Sequence, residues 1–177
     1  LIVADTNNQV IRRVSLAGNV STLAGMVDEA GFTDGPVSIA CFFAPSAVAV
    51  RSDGSILVAD TNNHVIRRLV VGSMVTTVAG QPTSAGFVDG TGTAARLAFP
   101  RGIAMGANGN AYICDTNNSA IRELTPANLV TTIAGNGTTG LVDGFGSAAR
   151  LNRPRQISAH PDGTFYVADE MNHAVRQ

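Results

Sequence analysis

The sequence predicts an all-β fold assembled from repeated antiparallel four-stranded units, and three observations predict it. One phrase recurs: "ADTNNQVIRRV" from Ala4, "ADTNNHVIRRL" from Ala59, "CDTNNSAIREL" from Cys114 and "ADEMNHAVRQ" from Ala168. Its spacing is regular. The Asp falls at 5, 60, 115 and 169, in steps of 55, 55 and 54, and the Arg that follows at 12, 67, 122 and 176 keeps the same steps. Between recurrences lie short β-type runs broken by Asp-Gly or Asn-Gly pairs. Self-similarity at such a period marks stacked supersecondary units that share a core.

Each unit can be read in order. An apolar run comes first: Ser46–Val50, Gly102–Met105 and Gln156–Ala159. A turn follows at Asp53–Gly54, Asn108–Gly109 and Asp162–Gly163, where Gly can take positive φ without penalty. "ILVAD", "AYICD" and "FYVAD" form the second strand, and the Thr-Asn-Asn loop turns the chain, Asn being tolerant of left-handed backbone. "VIRRL" and "AIREL" alternate apolar and polar residues as a third strand, and "VTTVAG" and "VTTIAG" make a fourth. Four antiparallel strands per unit, side by side around an axis, is a β-propeller. The period exceeds the 40–45 residues of one ordinary blade. The excess falls in three Gly-rich inserts, where Ser38, Thr93 and Ser147 read as N-caps of a short helical turn. Partial blades at 1–25 and 154–177, full blades at 45–80 and 100–135, and inserts at 26–44, 81–99 and 136–153 are expected.

Composition narrows the function classes. Hydrophobic residues make up 45% and charged residues 14%, so the chain can build a core and disorder is excluded. Net charge is −1 and aromatic content 5%, which disfavours nucleic acid and leaves no field for anionic surfaces. No apolar run reaches membrane-spanning length, so no membrane insertion is expected. Cys41 and Cys114 occupy non-equivalent points of the repeat and read as free buried thiols, a single disulfide staying open. The chain begins with Leu, mid-strand in the pattern, so a piece of a longer protein is expected and the compartment is unknown.

"PRGIAMGANGNAYICDTNNSAIREL" (Pro100–Leu124) and "PSAVAVRSDGSILVADTNNHVIRRL" (Pro45–Leu69) resemble the NHL-repeat family nearly throughout, and the likeness extends over essentially the whole chain. Ser46–Ala47, Gln156 and Glu170–Met171 depart from the family pattern in single blades. The resemblance implies a propeller, most often of six blades, used chiefly as a platform for partners. It leans towards a secreted or cell-surface location, where similar repeats often occur.

Candidate residues follow from the repeat. Asp5, Asp60, Asp115 and Asp169 are expected to accept backbone N–H groups of the loop that follows each; Asn8, Asn63, Asn118 and Asn172 to serve the turn; Arg12, Arg67, Arg122 and Arg176 to pair with a carboxylate. An acid repeated around a ring reads as architecture, since catalysis rarely needs the same group in every unit. Catalytic, metal and cofactor residues are therefore not assigned. His64 and His173, interchanged with Gln9 and Ser119, read as exposed loop residues, and the "DG" pairs at 34, 89 and 143 as plain turns. Arg96, Arg101, Arg150 and Arg155 could form a basic rim, with Phe32 and Phe87 on the inserts beside it, although closing the gap between blades is the stronger reading for the two rings. The function expected is a non-enzymatic binding scaffold for protein or other macromolecular partners, with self-association to complete a ring among the possibilities. The alternatives are a metal-assisted lyase or hydrolase whose channel site lies outside these blades, and an RNA-binding platform.

Overall fold

The computed structural model describes residues 1–177. Sixteen strands run in chain order: β1 Ile2–Asp5, β2 Val10–Val14, β3 Val20–Ala24, β4 Gly35–Pro36, β5 Pro45–Val50, β6 Ile56–Asp60, β7 Val65–Leu69, β8 Met74–Ala79, β9 Gly90–Thr91, β10 Pro100–Met105, β11 Ala111–Asp115, β12 Ala120–Leu124, β13 Leu129–Ala134, β14 Pro154–Ala159, β15 Phe165–Asp169 and β16 Ala174–Arg176. They form four antiparallel sheets in propeller arrangement: β1-β2-β3, β5-β6-β7-β8 with β4 added beside β8, β10-β11-β12-β13 with β9 added beside β13, and β14-β15-β16. β5, β10 and β14 are the innermost strands, and β10 packs against both of the others.

The strand patterns follow from what each strand faces. β6 is buried at all five positions because blades lie against both of its faces, and its near-continuous apolar run supplies both. The core is not central but lies in the seams. One cluster joins Ile11 and Ala24 of the first blade to Phe42 of the insert and Val58 and Leu69 of the second; another joins Leu57 and Ile66 to Leu97, Ile103 and Ile113; a third joins Cys114 and Ile121 to Leu151 and Val167. Each fully buried Ile, Leu or Val stabilises its seam by about 1.5–3 kcal/mol relative to exposure. Gly54 holds the hairpin after β5 at φ 80 with open space around it, and Asp53 stiffens the turn by accepting the Ser55 N–H at 2.9 Å.

Two expectations need correction. Two of the three inserts are not outside the blades: β4 and β9 are fifth strands, in register Gly35↔Val75 and Gly90↔Val130, while the insert at 136–153 adds no strand. Their helical turns are 3-10 turns at Gly92–Ala94 and Gly146–Ala148, and Thr93 and Ser147 sit inside them while Ser38 lies in a simple turn. None of the three is an N-cap: the positions that precede the two 3-10 turns are Thr91 and Phe145, and neither side chain caps its turn.

Candidate functional site

The recurring polar residues converge within each blade. In the second, Asp60 ends β6 with none of its surface exposed, and Arg67 in the middle of β7 is equally buried. Asp60 Oδ2 accepts from Arg67 Nη1 at 2.8 Å and from Asn63 Nδ2 at 2.9 Å, and its Oδ1 accepts the Phe43 N–H at 2.8 Å. Arg67 is shared with a second carboxylate, Asp34 of the insert, at 2.6 Å, and also donates to the Thr33 and Cys41 carbonyls. Asp34 in turn accepts the Thr77 N–H of β8 at 3.0 Å. Phe32 covers the guanidinium, its ring centroid 4.6 Å away.

The third blade repeats this arrangement. Arg122 bonds Asp115 at 2.6 Å and Asp89 at 2.7 Å; Asn118 bonds Asp115 at 2.8 Å and the Gly86 carbonyl at 2.7 Å; Phe87 lies over Arg122 at 5.0 Å. In the fourth, Arg176 bonds Asp169 at 3.0 Å and Asp143 at 2.5 Å, and Asn172 bonds Asp169 and the Gly140 carbonyl at 2.7 Å each. The first blade is looser. Asn8 bonds Asp5 at 2.9 Å, but Arg12 stands 3.8 Å from Asp5 and is part-exposed.

Burial dominates the electrostatics of the two enclosed acids. It pushes the Asp60 and Asp115 carboxyls up to about 6, against the pull of Arg67 and Arg122 and of their N–H donors. Asp89 goes the other way: burial opposes ionisation there too, but the Thr132 N–H, the Thr132 hydroxyl and Arg122 together hold it below the usual carboxylate range. Both oxygens of Asp60 and of Asp115 accept from donors of the same blade and its insert. No group of three or more His, Cys, Asp or Glu is placed to hold a metal ion.

The geometry revises several sequence readings. Asp60, Asp115 and Asp169 accept N–H groups of the preceding insert, from Phe43, Ala98 and Asn152, rather than of the following loop. The Asn residues do not take the left-handed position themselves; that falls to Gln9, His64, Ser119 and His173. Phe32 and Phe87 lie on the arginines of their own blades, and Phe87 also lies against Gly137 at the start of the next insert. His64 is not an exposed loop residue. It is buried, stacks edge-on against Phe99 at 4.4 Å, and its Nδ1 accepts the Phe99 N–H at 3.3 Å. Gln9 accepts the Ala44 N–H and Ser119 the Arg153 N–H in the same manner, so this position clasps one blade to the next. Burial lowers the pKa of His64, consistent with a neutral acceptor. His160 is exposed and sits 3.0 Å from Asp162.

A second clasp was not read from the sequence at all. The Thr61 hydroxyl donates to the Pro100 carbonyl at 2.8 Å, and Thr116 to that of Pro154 at 2.7 Å. Of the four rim arginines, Arg96 and Arg150 each cap their own 3-10 turn through three backbone carbonyls. Arg155 pairs with Glu170. Arg101 makes neither a side-chain hydrogen bond nor an ion pair. Cys41 and Cys114 are both free; Cys114 is buried, which raises its thiol pKa.

The comparisons accord with this geometry. Residues 97–124 match the family model described as NHL repeat. The chain is 36% identical over 129 residues to Protein SUPPRESSOR OF QUENCHING 1, chloroplastic, of Arabidopsis thaliana, covering 68% of this chain and 12% of that protein. It is 28% identical over 149 residues to NHL repeat-containing protein 2 of Bos taurus, covering 76% of this chain and 20% of that protein. The crystal structure of an auxiliary nutrient binding protein from Bacteroides ovatus superposes with a TM-score of 0.75 at 28% identity, covering 98% of this chain and 44% of that one. The chain thus spans less than half the length of each. The matched stretch holds β10 to β12 with Asp115, Asn118 and Arg122, and the same set recurs in the other blades; this chain belongs to the NHL-repeat β-propellers.

Proposed function

We propose that this propeller is a non-enzymatic binding scaffold that presents its two faces to macromolecular partners, proteins foremost. One contrast carries the reading. The residues common to the blades are consumed in holding blade and insert together, whereas equivalent positions on the faces differ. Ser46, Arg101 and Arg155 share one position; Ala44, Phe99 and Arg153 another; Arg51, Gly106 and His160 a third. An unvarying frame under a varied surface suits recognition rather than a reaction repeated in every blade. A lyase or hydrolase would need acids or imidazoles on the innermost strands, and β5, β10 and β14 carry none. A second copy of the chain is one partner the scaffold could take, and light scattering reads it directly as a doubled mass.

The test is site-specific photocrosslinking. Benzoylphenylalanine placed at Arg155 or at Arg51 reports on opposite faces in extracts of the source cells. A discrete macromolecular adduct at one face is expected. Absence of adducts at both, together with turnover of a lactone or ester panel by the purified protein, would refute the reading.

A further inference from the structure

Three arginines meet where the third and fourth blades abut. Arg101 is the second residue of β10, and Arg153 and Arg155 flank Pro154 at the start of β14. The two strands come unusually close here because residue 102 is Gly: a Cβ on it would lie 2.8 Å from the Arg155 carbonyl oxygen. The positions are therefore fixed by the ring rather than by a mobile loop. Glu170 is the acid of the group, and it is taken by Arg155. Arg101 is half-buried, and burial, Arg155 and Arg153 all weaken its hold on its proton, with Glu170 offsetting them only in part.

The fold does not require this crowding. In the second blade Ala44 and Ser46 stand where Arg153 and Arg155 stand in the fourth. Ser46 fills its position with a hydroxyl that meets Thr61 at 2.6 Å and donates to the Arg101 carbonyl at 2.8 Å. At that seam, between the second and third blades, the positions of Arg101, Arg153 and Arg155 are held by Ser46, Phe99 and Arg101, so one guanidinium stands where the next seam has three. Three guanidiniums against one carboxylate are a cost in the unbound protein and an asset once an oxyanion arrives, since the guanidinium fork matches carboxylate and phosphate alike.

The surroundings favour a peptide carboxylate over a nucleic acid. Phe99, the aromatic ring adjoining the cluster in sequence, is held edge-on by His64 and offers no stacking platform. Arg96 and Arg150, which could have widened the patch into a basic track, are tied to their own turns. We propose that Arg101, Arg153 and Arg155 form a docking site for an acidic peptide segment of a partner protein. This rests on the scaffold reading and narrows it.

The probe is fluorescein-labelled hexaglutamate, followed by fluorescence anisotropy in about 50 mM NaCl, where screening is weak. Saturable, salt-sensitive binding is expected. Arg101→Ser, and Arg153→Ala with Arg155→Ser, which install residues of the second blade, should weaken it by about tenfold or more, a loss of about 1.4 kcal/mol or more. Arg51→Ser on the opposite face should leave it unchanged. Because Arg101 is unpaired and crowded, Arg101→Ser should leave Tm unchanged or raise it. The proposal falls if hexaglutamate does not bind by about 1 mM, if the variants bind it as well as the parent, or if Arg101→Ser lowers Tm. It also falls if a single-stranded oligouridylate binds the same arginines more tightly than hexaglutamate. A crosslinked adduct at Arg51 without hexaglutamate binding would remove this site and leave the scaffold standing; no adduct at either face together with turnover of the lactone or ester panel would remove both.

Discussion

Replacing Arg122 with Met tests the central physical argument. Met approximates the apolar volume of the stem but leaves Asp115 enclosed without its guanidinium. The carboxylate keeps only the Asn118 amide and the Ala98 N–H. The carbonyls of Arg96 and Val88 stay satisfied, because each already accepts the other residue's N–H at 3.3 and 2.9 Å. The loss is therefore that of breaking one side of a buried ion pair, about 3–5 kcal/mol. At about 2–4 °C per kcal/mol for a chain of this size, Tm should fall by roughly 6–20 °C. Arg12→Met is the control. Arg12 is part-exposed and 3.8 Å from Asp5, so its removal should cost at most about 1 kcal/mol. The assay is thermal unfolding by circular dichroism at pH 7.5, with urea titration beside it. The Arg122→Met deficit should shrink at pH 5, where the abandoned Asp115 can take up a proton. Equal shifts for the two variants, or a deficit independent of pH, would refute the reasoning.

Three further outcomes follow from the same geometry. The raised carboxyls of Asp60 and Asp115 bind protons in the folded state between about pH 4 and 6, where the unfolded chain has released them, so their share of stability grows as pH falls through that window. His64, its pKa lowered, pulls the other way below about 6.5. In a His64→Gln background, which borrows Gln9 from the first blade, the urea midpoint should therefore be higher at pH 5 than at pH 7, and a lower one would show that both acids stay ionised. Gly80→Ala should destabilise far more than Gly54→Ala. Both glycines have positive φ, but a Cβ on Gly80 would lie 2.5 Å from the His64 carbonyl oxygen and one on Gly54 meets nothing; denaturant titration should separate about 1 kcal/mol of backbone strain from about 3 kcal/mol of strain plus clash. Thr116→Val should cost about 1–3 kcal/mol by stranding the buried Pro154 carbonyl, whereas Thr6→Val, at a threonine without a side-chain hydrogen bond, should be nearly neutral in the same titration.

Strand order was legible because period-2 runs and Asp-Gly or Asn-Gly turns are local signals, and three recurrences of the turn reinforce them. The partnership of Asp34 with Arg67 was not, because it spans 33 residues and a "DG" pair in a Gly-rich insert already has a sufficient local explanation as a turn. Its period matched that of the arginine, which was the available clue. His64 was misjudged for a related reason. Exchange with Gln9 and Ser119 looked like indifference, yet all three side chains offer an acceptor to the N–H of a positive-φ residue in the next blade. Side-chain identity varied while hydrogen-bonding capacity did not. The arginine cluster was half visible: Arg101 and Arg155 stood out by position, but that Arg96 and Arg150 are occupied elsewhere is knowable only once the turns are in place.

The placement of β4 and β9 bears on where one module ends and the next begins. Asp34, Asn63 and Arg67 tie the stretch after Gly25 to the sheet that follows it. The self-contained brick thus runs from one Ala-Gly to the next, Met26 to Gly80 and Gln81 to Gly135, and not from proline to proline. A gene that duplicated or lost a copy at those glycines would carry each carboxylate together with its guanidinium. A cut at the prolines would part them, so engineered arrays of this repeat should be spliced at the glycines.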